Sequence, residues 1–295
     1  MAQWPFYSPS SGWHVNARGT TTALSPSVTV TPVVASKGTW VSIDGAAVAE
    51  DSAGFWVSWG AMSTSATARS RLVDFGLSAD GTTFYPVIEN LDMGARFQGG
   101  LSTTASFHDP LFVPCRIKSG WRIGCRCRAD TTTTFVMAAY PVALGGINGP
   151  LMMPGYCHPH TTADAHPDTY GAVVATSKGT AVTPSATANT YGTAVNFATT
   201  NTANAYHGVI IGVGNNSETG STACRMQLLI DDGTTTLSDG ININRLAAEA
   251  IIIDHPRNQF VPFPSSLKAG STLRVSVRSA TASMTAITVT LHGVR

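Results

Sequence analysis

The chain is 295 residues long, 43% hydrophobic and only 12% charged, with a formal net charge of +1. At about 100–200 residues per domain this length implies two domains, and the near-zero charge excludes the basic field that draws a protein to nucleic acid or an anionic membrane. Thr, Ser, Ala and Gly stand where Glu and Lys usually do, which disfavours surface helices and favours strands, and so weakly charged a surface tolerates contact with its own copies.

Residues 1–15 carry Trp4, Phe6, Tyr7 and Trp13 without a strand period. Free tails are poor in aromatics, so this segment reads as an N-terminal arm docked on its own domain or on a neighbour. A basic start followed by an apolar run is missing, so no secretory signal is read, and no stretch reaches the ~20 apolar residues of a membrane helix. Synthesis in a cytosol is expected, with the five cysteines as free thiols.

From residue 16 onward, short runs alternate with period two between Gly, Pro, Asp and Asn. Strands are predicted at 28–34, 39–43, 54–60, 70–77, 83–88, 110–116, 121–128 and 134–142, forming a first domain over 16–142. Residues 143–170 are rich in Gly, Pro and His and read as a linker. A second domain over 171–295 repeats the pattern at 179–183, 192–197, 206–213, 224–231, 235–243, 251–254, 259–263, 271–278 and 284–291. Only 93–97 and 246–250 look briefly helical. Some eight short strands per copy, with turns every ~8–12 residues, predict an all-β protein of two tandem antiparallel β-sandwich domains, jelly-roll-like by strand count.

The two copies are related by an internal duplication. Asn16–Thr20 aligns with Thr176–Thr180, Gly38–Val41 with Gly192–Val195, Asp80–Thr83 with Asp232–Thr235, Phe112–Pro114 with Phe260–Pro262, and Lys118–Gly120 with Lys268–Gly270. The offset begins at 160 (16 to 176), falls to 148 (112 to 260) and ends at 150 (118 to 268), a drift that a few loop insertions explain. Leu273, Val275 and Val277 alternate with Arg274, Ser276 and Arg278, so the first set is expected in the core and the second in water. Ile123, Cys125 and Cys127 take the core positions in the first copy, against Arg122, Arg126 and Arg128, and cysteine serves there as a small apolar residue.

Candidate chemistry is sparse. Cys125 and Cys127 have the spacing of a metal or redox pair, but the second copy places valines there. The linker carries Cys157, His158, His160, Asp164 and His166, zinc ligands by type. Their spacing fits no standard finger and Pro159 and Pro167 interrupt it, so a solvated or interface-packed loop is the competing account. Asp74, Asp80, Glu89, Asp92 and Asp109 offer carboxylates for sugar hydrolysis, but only Asp80 has an acidic counterpart, Asp232, and a turn explains that pair. His108 beside Asp109 has no assignable nucleophile. Neither a Gly-x-Ser-x-Gly elbow nor a phosphate loop occurs. No cofactor is expected. Trp56 sits between Phe55 and Val57, so either it or its neighbours face outward. With Trp4, Phe6, Trp13 and Trp121 it is a candidate for an interface or for stacking on a glycan.

The stretch Lys178-Gly179-Thr180 … Tyr191-Gly192-Thr193 … Ala205–Val209, then Phe260–Pro264 … Leu267–Val275, ending at Arg278–Ala282, resembles a module of tailed-bacteriophage structural proteins. The likeness covers most of the second copy and, more weakly, the first, which departs at Lys37-Gly38 and at Cys115-Arg116. It implies a β-sandwich virion protein with no catalytic residues to carry over. The expectation is a non-enzymatic structural or accessory component at the head surface, neck, collar or tail. It would be assembled in the host bacterial cytoplasm and bind copies of itself and other virion proteins. A glycan-binding host-receptor adhesin is the alternative, and a hydrolase the third reading.

Overall fold

The computed structural model describes residues 27–43, 47–59, 71–92, 111–129, 132, 134–143, 155–159, 168–197, 202, 204–214, 222–231, 235–245, 260–284 and 286–295. It is all-β, with no helix among the described residues. The first half contains β1 (Ser27–Val30), β2 (Val33–Val34), β3 (Val41–Ser42), β4 (Ser52–Trp59), β5 (Arg71–Ser78), β6 (Tyr85–Asp92), β7 (Leu111–Ile117), β8 (Arg122–Ala129) and β9 (Phe135–Ala143). The second contains β10 (Thr169–Tyr170), β11 (Thr180–Val182), β12 (Val195–Asn196), β13 (Tyr206–Gly214), β14 (Thr222–Ile230), β15 (Thr235–Arg245), β16 (Phe260–Leu267), β17 (Leu273–Ser279) and β18 (Ile287–Val294).

Both halves use one pairing scheme. In the first, β1-β9-β4-β7 forms one sheet and β8-β5-β6 the other, with β2 and β3 both on β8. In the second, β11-β18-β13-β16 forms one sheet, with β10 also on β18, and β12-β17-β14-β15 forms the other. Apart from the parallel β2–β8 pair, all the strand ladders are antiparallel, and each lies within 27–143 or within 169–294. The two sheets of each half stack on a separate apolar core. Phe55, Val113 and Met137 meet Phe75, Leu77 and Ile123 in the first; Val209, Phe263 and Val289 meet Met226, Leu228 and Val275 in the second.

Matching sequence positions make matching bonds. The Gly38 amide donates to the Cys127 carbonyl as Gly192 donates to Val277. Lys118–Gly120 and Lys268–Gly270 turn alike: Gly120 donates to Val48 and Gly270 to Thr202. Both glycines sit in the left-handed region, at φ 87 and 88, which a side chain would resist. Gly54 and Gly208 face Pro114 and Pro262 across the same register slip, and the ring of Phe112 or Phe260 fills the space where their Cβ atoms would be.

The core side of the alternation holds. Cys125, Cys127, Leu273, Val275 and Val277 are buried. The other side departs from expectation: Ser276 is 1% exposed rather than in water, and its hydroxyl donates to the Gly192 carbonyl at 2.6 Å. Arg278 lies over the Tyr191 ring, and Arg126 over Trp40. Trp40 and Phe84 stack at 5.6 Å over Gly76 and Gly124, whose missing side chains give the rings room. Chain segments beside Trp40 and Tyr191 cover part of the outer faces of these sheets, so Arg126 and Arg278 are only partly open to solvent.

Candidate functional site

Among the described residues, the densest set of ionisable groups lies where the halves meet. Lys37 follows β2, Asp74 is on β5, Glu89 and Asn90 on β6, and Arg126 on β8. Lys37 Nζ lies 2.8 Å from both Asp74 Oδ2 and Glu89 Oε1, and it also donates to the Val173 carbonyl of the second half at 2.8 Å. Arg126 reaches the same carboxylates, at 2.7 Å and 3.2 Å. The Lys37 side chain is 3% exposed, so these charges need each other: a buried charge is tolerated only when paired and hydrogen-bonded. Two cations face two carboxylates and the set is neutral.

Backbone and neutral side chains complete the seam. Asp74 Oδ1 accepts from the Asn90 amide at 2.8 Å, and Asn90 holds a left-handed φ of 55. Its side-chain amide donates to the Ala172 carbonyl and to Thr290. His292 on β18 sets Nε2 2.8 Å from the Glu89 carbonyl and Nδ1 3.1 Å from the Thr169 hydroxyl. The Lys37 amide donates to Ala175, and Arg128 to the Thr176 carbonyl.

The linker adds a second suture. Tyr156 and Arg295 exchange two backbone hydrogen bonds, and the Cys157 amide donates to Pro114 on β7 at 2.8 Å. Cys157 is buried in the first core as a free thiol, its backbone paired with that of Cys115 in a single parallel β-bridge, and burial pushes both thiols up from their ordinary pKa. Neighbouring His158 is held below its usual value by burial and by Arg295. Below it Asp168 accepts from Tyr206 at 2.8 Å, Asn204 at 2.9 Å and Arg295 at 3.1 Å. Burial, then the Tyr170 hydroxyl, raises the Tyr206 phenol.

These placements bear on the predicted site residues one by one. Cys157 turns its sulfur into an apolar core, and no group of three His, Cys, Asp or Glu suited to a metal occurs among the described residues. Asp74 and Glu89 do come together, in the seam and not in a cleft. Asp80 accepts from the amides of Thr82 and Thr83 at 2.8 and 2.7 Å, and these turn bonds hold its carboxyl well below the usual carboxylate range. Trp121 packs against the first core from the turn before β8. Trp56 faces outward, since Phe55 and Val57 are fully buried, and its half-buried ring lies 5.1 Å from Phe112. Tyr140, half-buried, lies directly opposite it on β9. Trp4, Phe6, Trp13, His108, Asp109, His160, Asp164, His166 and the turn at 232–233 lie outside the described residues, as do the strand predicted at 251–254 and the helical stretches.

Sequence reasoning missed the seam residues Lys37, Asn90, Arg126 and His292 as partners. The signal was present in the aligned copies: Arg126 stands opposite Ser276, a charge in one copy and none in the other. No family model, curated protein or solved structure matches this chain.

Proposed function

We propose that the chain is a non-enzymatic structural or accessory component of a bacteriophage particle that works through repeated protein–protein contacts. The seam carries this reading: the richest cluster of ionisable groups is spent on locking two sandwiches into one body. The resemblance of the second half to tailed-phage modules supports the setting, and the low charge favours packing against copies of itself. We read each half as a jelly roll arising from one duplicated ancestor. The shared strand order, with first strand beside last in one sheet, and the shared hydrogen bonds support that.

Imaging tests the reading: a labelled antibody against the chain should decorate intact particles at regularly repeated sites. Absence of the chain from purified particles would falsify it. The aromatic arm belongs to the same reading. Deleting residues 1–15 should lower the oligomer mass seen by light scattering and leave the strand signal in circular dichroism unchanged; an unchanged mass removes the arm from assembly.

The outward aromatic set Trp56, Phe112 and Tyr140 favours a second reading, a glycan-binding adhesin on the same particle, because flat aromatic faces stack on sugars.

A further inference from the structure

The halves share register as well as strand order. Trp56 lies opposite Tyr140 as Ile210 lies opposite His292, and Gly54 opposite Val142 as Gly208 opposite Val294. The outer face of β4 and β9 is therefore the counterpart of the outer face of β13 and β18. The edge strands correspond too. The β5–β6 ladder slips between Val73 and Phe75 and again between Phe75 and Gly76; the β14–β15 ladder slips between Met226 and Leu228 and between Leu228 and Leu229. So β15 is the counterpart of β6.

Inside the chain, one such face already lies on one such edge. Ile210 and Val294 join the apolar cluster of the first half. His292 meets the Glu89 backbone, and a Cβ at Gly212 would stand 2.5 Å from the Asn90 carbonyl. Ile210 is 2% exposed as a result. The contact is heterologous, a face of the second half on an edge of the first, and among the described residues its two complements are left over. Trp56, Phe112 and Tyr140 on the first half keep part of their surface open. On the second half, β15 pairs only with β14 among the described residues.

We propose that the outer face of β4 and β9, centred on Trp56, docks on the β15 edge of a second copy of this chain, repeating between molecules the contact that joins the halves within one. This rests on the reading of the chain as a self-associating component, and it names the partner and both surfaces. A heterologous contact leaves one free face and one free edge at the ends of every open assembly, so copies add head to tail until a ring closes, or into an open filament if the rotation does not close. Trp56 stands where Ile210 stands and offers a larger aromatic anchor of the kind that dominates interfaces. Tyr140 stands at the His292 position with a hydroxyl that can donate to a backbone carbonyl.

The test uses the full chain and two kinds of block. Trp56→Asp blocks the face, and Thr236→Lys, at an exposed position of β15, blocks the edge. Wild type should form concentration-dependent oligomers in native mass spectrometry or sedimentation. Each variant alone should associate at least about 30-fold more weakly, the loss expected of a hot spot. Mixed, the two should give a one-to-one heterodimer and nothing larger, because each retains the surface the other lacks. Circular dichroism and the urea midpoint check folding, and Tyr140→Glu replaces Trp56→Asp if the latter unfolds. Oligomers that persist in the blocked variants, a mixture that stays monomeric, or a wild type monomeric to about millimolar concentration overturns the docking. A Trp56→Asp chain with unchanged mass but lost binding on a glycan array overturns it in favour of a sugar site. None of these results touches the particle reading, which the imaging decides on its own.

Discussion

Replacing Lys37 by methionine is expected to cost the folded chain about 3–5 kcal/mol, the loss typical of breaking a buried ion pair from one side. The ammonium has three acceptors at 2.8 Å: Asp74, Glu89 and the Val173 carbonyl. Without it Arg126, partly open to solvent at 22%, is left to balance two carboxylates, and one negative charge stays buried without compensation. Urea unfolding reads the effect as a lowered midpoint. The double variant Lys37→Met, Glu89→Gln restores neutrality and should lose less than the sum of the two single changes, since residues in one network couple. A single variant within about 1 kcal/mol of wild type would mean the seam contributes little to holding the halves.

Phe75→Ala should cost a similar amount, about 3–5 kcal/mol, by leaving a cavity in the first core. Phe75 and Phe55 are fully buried and meet edge to face at 5.8 Å, an arrangement that adds about 0.5–1.5 kcal/mol beyond burial. The chain offers a built-in way to see how far this damage spreads. All six tryptophans precede Arg122, so in a chain lacking the arm 1–15 the remaining four, Trp40, Trp56, Trp59 and Trp121, report the first half, and circular dichroism reports both. With the seam intact the two signals should fall together in Phe75→Ala, the mark of one cooperative unit. In the Phe75→Ala, Lys37→Met double variant the fluorescence should fall first. Signals that separate already in Phe75→Ala would show that the halves unfold independently.

How much of this was legible in the sequence depends on distance along the chain. Local rules placed most of the strands: alternation marked β8 and β17, and Lys-Ser-Gly and Lys-Ala-Gly marked the turns before them, but the run predicted at 28–34 divides into β1 and β2 on different sheets, and β10 forms within the predicted linker. The likeness of the two halves was legible because turn and edge residues, such as Phe112–Pro114 and Phe260–Pro262, recur in order. What failed was the assumption that a polar strand face meets water. Arg126 and Ser276 point away from the core, but segments near Trp40 and Gly192 cover them. No local pattern foretells that covering. The seam was hidden for the same reason: Lys37, Asp74, Glu89 and His292 share no spacing, and only tertiary packing unites them. For Trp56 the sequence left two orientations open, and the buried neighbours Phe55 and Val57 decide between them.

The exchange of backbone bonds between Tyr156 and Arg295, with Cys157 tied to β7, has a mechanical consequence. Tension applied at the end of β18 passes through Tyr156 and Cys157 into the opposite sandwich, bypassing the covalent stretch from 158 to 168. Both sandwiches then share the load from the first moment of pulling, and neither needs to be extracted before the other resists. In a string of such molecules joined end to end, this cross-brace would raise the force at which any one link gives way, a property governed by the barrier to unfolding rather than by equilibrium stability.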